Sequence, residues 1–192
     1  MQEKFIENSK LAIFEKSIGK TRYDIQFDTL ALLFCAIVNY AKSVTSSIDL
    51  LQEKLTKIGN TTGKHLIDVL VWREKSFKKE NNIADILNLI SSTLWKSLFQ
   101  KKPDSVEQGS GDELTYYIFE SKPFITKCIP LSTDPLENRP NCAAYIGGII
   151  EGFLNSTNFT CTVKTQWHNE NSTVYIIKFN PSAIKNQAHN YM

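Results

Sequence analysis

The chain has 192 residues, 42% of them hydrophobic and 22% charged, with a formal net charge of +2. This composition is typical of a soluble globular protein with one well-packed core. The net charge is too small for the electrostatic footprint of a nucleic-acid-binding protein, and no apolar run reaches the length of a membrane span.

The start of the chain, residues 1–7, lacks the apolar segment of a secretory signal. The four cysteines are isolated inside apolar segments, with no C-x-x-C pair and no His/Cys ligand spacing. They are Cys35, Cys128, Cys142 and Cys161. We therefore expect buried free thiols in a reducing compartment rather than disulfides or zinc, and we predict no metal or cofactor site.

The chain begins with a leader and a strong helix. Residues 1–24 are weakly periodic and form either a short helix or an arm that orders on a partner; the sequence leaves both open. In Thr29–Lys42, apolar residues recur at i, i+3, i+4 and i+7, which predicts a helix. Much of its remaining surface is apolar too, which indicates burial on more than one side or a second face used by a partner.

Three more helices are predicted before residue 100. The first spans residues 46–58, and Gly59 is a typical residue just beyond a helix end. The second spans residues 61–72, and the third spans residues 82–99. The charged segment between them, 73–80, is interpreted as a solvated turn.

The second half of the chain mixes strands with one helix. After a polar loop, Gln100–Gly111, two short runs rich in β-branched and aromatic residues, Glu113–Phe119 and Phe124–Leu131, predict a hairpin. Alternating polarity in Thr160–Trp167, followed by Thr173–Phe179, predicts a second hairpin. The order of helices, hairpin, helix and hairpin indicates an α+β fold in which helices cover an antiparallel sheet.

The helix between the hairpins, Asn141–Phe159, has unusually many small side chains. Gly147, Gly148 and Gly152 lie among its apolar positions, although each interior glycine costs a helix about 1 kcal/mol relative to alanine. We therefore expect another backbone or a sheet to pack closely against it. The predicted divisions of the chain are an arm at 1–24, one domain at 25–181 and a polar tail at 182–192.

Polar groups that would form a catalytic site are few. Glu151 and His168 are candidates for an acid–base pair in a small enzyme, but neither lies in a recognised motif. We assign no catalytic residue. The excess of apolar helical surface instead favours a subunit of a larger assembly, because a soluble monomer rarely exposes such a patch.

Five segments carry a family resemblance, and together they run in order over nearly the whole chain. They are Leu32–Phe34, Leu66–Lys75, Leu94–Phe99, Asn141–Gly152 and Trp167–Phe179. The runs Asn-Cys-Ala…Gly-Ile-Ile-Glu and Trp-Arg-Glu-Lys are fairly specific when they occur together. These segments resemble the small subunits of TRAPP, the transport protein particle, and among them its fifth-subunit type.

The resemblance implies a twisted four-stranded antiparallel sheet flanked by helices. It also implies a cytoplasmic scaffold subunit, peripheral at endoplasmic reticulum and cis-Golgi membranes. The complex tethers vesicles in ER-to-Golgi transport and exchanges guanine nucleotide on a Rab-family GTPase, which this chain would reach only indirectly. Expected partners are the third-subunit and the second-subunit (sedlin-like) types. A related subunit carries an acyl group on a cysteine at the place matching 77–80, where this chain has no cysteine.

Two helices supply dimer surfaces in the family, and their apolar positions give a predicted interface. It consists of Ile37, Tyr40, Leu51, Leu55 and Ile58. A place in the core is the alternative for these residues. Two other functions stay open, a small-molecule or acyl-chain binding domain and a small enzyme, since the fold superfamily includes ligand-binding members.

Overall fold

The computed structural model describes residues 27–73, 82–129 and 139–181. The helices are α1 (Phe27–Ser43), α2 (Ile48–Arg73), α3 (Ile83–Leu89), α4 (Trp95–Phe99) and α5 (Ala144–Ser156). The strands are β1 (Ser105–Gln108), β2 (Thr115–Ser121), β3 (Cys161–Asn169) and β4 (Ser172–Phe179). The predicted arm, the predicted tail and the segment 77–80 lie outside the described residues. Among the residues that the structure describes, no helix is long and apolar enough to cross a membrane.

The strands form one antiparallel sheet in the order β1-β2-β4-β3, which confirms the predicted α+β fold and four-stranded sheet. β3 and β4 form the second predicted hairpin, in which Val163 lies opposite Ile177. β4 also pairs with β2, where Ile118 lies opposite Tyr175. All four of these side chains are buried in the core.

The first predicted hairpin was wrong in its second strand. Phe124–Cys128 is a 3₁₀ helix, and β2 pairs instead with β1, which lies inside the predicted polar loop. Lys122 has a left-handed φ of 49°, and Thr126 Oγ1 donates a 2.7 Å hydrogen bond to the Pro123 carbonyl, so the chain turns as β2 ends. The sequence of β1, Ser-Val-Glu-Gln, has only one β-branched residue and gives little strand signal.

α2 is a single helix of 26 residues, where the sequence predicted two helices separated at Gly59. Gly59 and Gly63 of α2, and Gly148 and Gly152 of α5, lie where these helices pack together. A Cβ on any of the four would collide with a carbonyl oxygen of the other helix. Gly59 therefore lies inside α2 and permits the close approach of α5. It does not mark the end of a helix.

α5 lies between α2 and the sheet. Its Gly147 faces Thr165 and Val163 of β3. Before its first turn, the Ala143 N–H donates a 3.0 Å hydrogen bond to Asn141 Oδ1. The expected close approach is confirmed, and both expected neighbours occur, because one side of α5 meets a helix backbone and another meets the sheet.

The predicted helix over 82–99 is present with a local irregularity. A π-helical turn, Ile90–Leu94, joins α3 to α4 without a break. The turn is followed by Trp95, whose ring packs edge-to-face on the buried Tyr175, with the ring centroids 5.5 Å apart. This segment thus covers the sheet with fully buried side chains such as Ile86 and Ile90.

Candidate functional site

α1 exposes a regular apolar stripe, although its other side lies in the core. The residues of this α1 stripe are spaced by three, four, three and four, as at the seam of packed helices. They are Leu30, Leu33, Ile37, Tyr40 and Val44. Leu33, Tyr40 and Val44 are 59%, 55% and 53% exposed, while Ile37 is half-buried. Phe34 and Ala41 are buried on an adjoining side of the helix, so α1 is apolar on two sides and covered on one.

A shallow apolar groove of about 490 Å³ runs along the second half of α2. The residues of this α2 groove follow helical spacing, so they share one face of α2. They are Ile58, Thr61, Thr62, His65, Leu66 and Val69. Beyond the groove, Trp72 is 67% exposed near the end of the helix. The exposed apolar surface of α2 therefore extends over several turns.

Aromatic contacts connect α1 with α5 and α2. Tyr145 of α5 packs on Phe34 with ring centroids 5.6 Å apart, and its hydroxyl lies 3.2 Å from Thr62 Oγ1 in the groove. At the other end of α1, the Lys54 ammonium lies 5.7 Å from the centroid of the Tyr40 ring. These contacts tie α1 to its neighbouring helices through the buried Phe34 and through Tyr40 of the α1 stripe.

The structure separates the predicted interface residues into two groups. Tyr40 is exposed, and Ile37 and Ile58 are half-buried on the surfaces just described. Leu51 and Leu55 belong to the core, and Leu55 is completely buried. For these two, the core alternative replaces the interface assignment, because α2 turns them toward the interior and leaves no surface for a partner.

Sequence reasoning missed several members of the exposed surface. Leu30, Leu33 and Val44 complete the α1 stripe, and Leu66 and Val69 line the α2 groove. The three-and-four spacing from Leu30 to Val44 was a visible signal. It could not be separated from core periodicity without knowing which side of α1 the rest of the chain covers.

The candidate acid–base pair is not brought together. Both carboxylate oxygens of Glu151 accept 2.9 Å hydrogen bonds, one from Asn60 Nδ2 and one from the Val163 N–H, so they tie α5 to α2 and β3. His168 is exposed, with its ring 5.1 Å from that of Phe119. Five strand residues from Val163 to His168 span about 16 Å. Glu151 therefore acts as a structural bridge, away from His168.

The four cysteines are free thiols, and Cys142 and Cys161 are buried as predicted, whereas Cys35 and Cys128 are only half-buried. Burial raises the pKa of Cys142 to about 11 and that of Cys161 to about 12, so both thiols stay protonated at neutral pH. The Cys35 thiol donates a 3.1 Å hydrogen bond to the Cys128 carbonyl. Across the described ranges, no group of three or more His, Cys, Asp and Glu side chains could hold a metal ion.

Comparisons with known proteins agree with one another. Residues 30–180 match the family model described as transport protein particle (TRAPP) component. A protein of Gallus gallus named "Trafficking protein particle complex subunit 5" is 33% identical over 185 residues, which cover 96% of this chain and 95% of that protein. A protein of the same name in Dictyostelium discoideum is also 33% identical, over 92% of this chain and 96% of its own length.

One solved structure shows the fold directly. It is a crystal structure of trafficking protein particle complex subunit 3 from Naegleria fowleri, covalently bound to palmitic acid. It superposes with a TM-score of 0.70 at 16% sequence identity and covers 80% of this chain and 95% of that chain. The arrangement of helices and sheet described above is therefore one that this other protein shares.

Proposed function

This chain belongs to the transport protein particle (TRAPP) component family, and from that premise we propose that it is a non-catalytic structural subunit of the TRAPP complex. Relatives that are named subunit 5 of that complex match this chain over nearly their whole length. The proposed task is to hold other small subunits in place through its helices. No residue of this chain is assigned to chemistry.

The observation that supports this proposal is the α1 stripe. Leucine, tyrosine and valine side chains are exposed at a spacing of three and four residues along a helix that already buries another side. Burying apolar area stabilises a contact by roughly 25 cal/mol per Å² before the costs of association. A partner helix with matching apolar spacing would remove this surface from water. Tyr40 is the best anchor, since tyrosine is enriched among residues that dominate binding energy.

We propose that this subunit assembles as the family resemblance implies for the TRAPP complex. A third-subunit type would cover the α1 stripe and the α2 groove, and a second-subunit (sedlin-like) type would contact another side. The complex would then tether vesicles between the endoplasmic reticulum and cis-Golgi and act as a guanine nucleotide exchange factor for a Rab-family GTPase. This chain would be cytoplasmic and would reach membranes and the GTPase only through the complex.

The test is light-scattering chromatography of the full chain, alone and mixed with the third-subunit TRAPP homologue of the same organism. We expect a stoichiometric heterodimer. Leu33→Asp should weaken it by at least about 30-fold, the effect of losing a contact worth 2 kcal/mol or more. Leu32→Asp is the matched control, because Leu32 is more exposed but lies about 100° around the helix from Leu33.

Two outcomes would overturn the proposal. One is a monomer that does not bind the candidate partner at all. The other is equal loss of binding in both leucine variants while circular dichroism shows each to be folded, since the α1 stripe would then carry no specificity. An acyl-chain binding domain would remain as the alternative, and a lipid that copurifies in native mass spectrometry would favour it.

A further inference from the structure

A second surface of interest is the outer edge of the sheet, formed by β1. β1 is the first strand in the sheet order, and within the described residues it pairs only with β2. Strand edges carry backbone groups ready for another strand, and proteins commonly block them with lysine or proline. The β1 sequence, Ser-Val-Glu-Gln, contains neither. Within the described ranges, the outer edge of β1 therefore carries no paired strand, and its four residues include no lysine or proline.

The register identifies which backbone groups face outward. The Gly109 N–H donates a 2.8 Å hydrogen bond to the Thr115 carbonyl, and hydrogen-bonded pairs alternate along an antiparallel ladder. Glu107 therefore exchanges its backbone bonds with Tyr117 of β2, and the N–H and C=O of Val106 point away from β2. At the start of β1, the Phe119 carbonyl accepts a 2.9 Å hydrogen bond from the Asp104 N–H. Val106 is 38% exposed. An added strand would find its backbone partners at Val106 and at Gln108.

An acidic cleft of about 460 Å³ opens beside this edge. Its walls come from β1, β2, the start of β4 and the end of β3. The lining residues are Asp104, Ser105, Glu107, Phe119, Glu120, Ser121, His168, Asn169 and Ser172. Three acidic residues line the cleft. Asp104 and Glu107 are exposed, whereas Glu120 is buried with its Oε1 2.8 Å from the Lys101 ammonium. These four groups leave a formal charge of −2 and favour a cationic occupant.

The acidic side chains at the rim are held in position. Asp104 Oδ2 accepts a short hydrogen bond from the Ser121 N–H, and Ser105 Oγ donates a 2.9 Å bond to Glu107 Oε1. Phe119 forms an aromatic wall with His168, and a cation within about 6 Å of such a ring gains further attraction. Carboxylates facing an aromatic ring suit a guanidinium group in particular, because it can stack and bond bidentately.

One buried polar atom in the cleft wall lacks a partner. Ser172 Oγ is buried without a hydrogen-bond partner among the described residues, whereas Glu120 Oε1 is held by the Lys101 ammonium at 2.8 Å. Buried polar atoms are nearly always hydrogen-bonded in folded proteins, so such sites are ones that a ligand or water completes. An occupant with several N–H donors fits a wall of this kind.

We propose that β1 and the acidic cleft bind an extended, arginine-bearing segment of a partner protein. Its backbone adds a strand beside β1, and an arginine side chain on the near face enters the cleft between Glu107 and Phe119. Strand addition supplies the affinity and the cleft supplies the specificity, as in other cases of recognition at a sheet edge. This surface involves none of the residues of the α1 stripe, so it is independent of the proposed subunit contact.

The probe is a capped, fluorescent nine-residue peptide in which arginine alternates with threonine. Its control replaces every arginine with citrulline, which keeps the shape and removes the charge. Fluorescence anisotropy with the full chain should show that the arginine peptide binds at least about fivefold more tightly, the value of one good charge pair. Amide NMR signals of Val106 and Gln108 should shift on titration.

Two variants separate the charge from the strand edge. Glu107→Lys should weaken binding about tenfold, whereas Glu53→Lys, which reverses an exposed charge on α2, should leave it unchanged. Val106→Pro removes an outward N–H without touching the β1–β2 ladder and should weaken binding about fivefold. The proposal is overturned by no binding of the arginine peptide up to about 1 mM. It is also overturned by equal binding of the citrulline peptide, or by wild-type binding in folded Val106→Pro.

Discussion

The α2–α5 contact and the α1 stripe use helix surface in opposite ways. Where α2 and α5 pack, glycines remove side chains so that two backbones of the same chain touch. On α1, large apolar side chains such as Leu33 and Tyr40 project outward and are more than half exposed. The first surface is complete within the chain, and the second is complete only with a partner. Regular helical spacing produces both, so side-chain size decides which kind of contact a helix makes.

This difference explains why the chain contains costly residues in its interior helices. Four glycines in α2 and α5 weaken helix propensity by about 1 kcal/mol each. The close packing that they permit adds hydrogen bonds between helices, such as that from Asn60 Nδ2 to Glu151. The α1 stripe has no such compensation within the described residues, which is the expected condition of a surface that awaits an assembly partner.

The largest expected effect comes from filling the closed surface. Gly148→Val should abolish folding or lower the free energy of unfolding by more than about 3 kcal/mol, because its side chain would collide with the Thr56 carbonyl. Chemical denaturation followed by circular dichroism measures the loss. Gly111→Ala is the matched control, since a Cβ there has open space around it. A Gly148→Val protein as stable as wild type would show that the two helices can separate without cost.

Substitutions of Leu55 and Tyr40 should differ in their effect on the free energy of unfolding. The sequence predicted both residues as part of the interface. Leu55→Ala should lower the free energy of unfolding by about 2–5 kcal/mol, because it leaves a cavity in the core. Tyr40→Ala should change it by less than about 0.5 kcal/mol, because the ring is largely exposed. Urea titrations of the isolated chain provide both values. Equal destabilisation by the two changes would place Tyr40 in the core and remove the anchor of the proposed interface.

The sequence predicted most elements because their signals are local. Apolar spacing predicted α1 and the helix from Ile83 to Phe99, and alternating polarity predicted the hairpin of β3 and β4. Small side chains in α5 predicted the close approach that occurs there. Each of these patterns is complete within one helical segment or one hairpin, so it needs no knowledge of the rest of the fold.

The failures arose where distant contacts decide. Gly59 was read as a helix end, but the backbone of α5 makes it a helix interior. β1 has almost no strand signal of its own and is a strand because β2 lies beside it. Likewise, periodicity placed Ile37, Tyr40, Leu51 and Leu55 on apolar faces but could not tell which faces other elements cover. The candidate site was therefore only partly predictable from local patterns.

The smallest expected effect is a pH dependence at the covered side of α1. Burial, with a smaller contribution from Cys35 on α1, raises the pKa of Cys142 from 9.0 to about 11. In the unfolded chain the thiol ionises above pH 9, while in the folded chain it keeps its proton until about pH 11. The stability that this group contributes is thus complete below pH 9 and is lost between pH 9 and 11.

Comparison of wild type with Cys142→Ser isolates that contribution, because serine keeps the size of the side chain and does not titrate in this range. The free energy of unfolding of wild type should fall by about 2 kcal/mol more than that of Cys142→Ser between pH 9 and 11. Denaturant titrations at several pH values measure the difference. Parallel curves would mean that Cys142 is accessible to water in the folded chain. The covered side of α1 would then be as open as its stripe, and the contrast between closed and open surfaces would not hold for this helix.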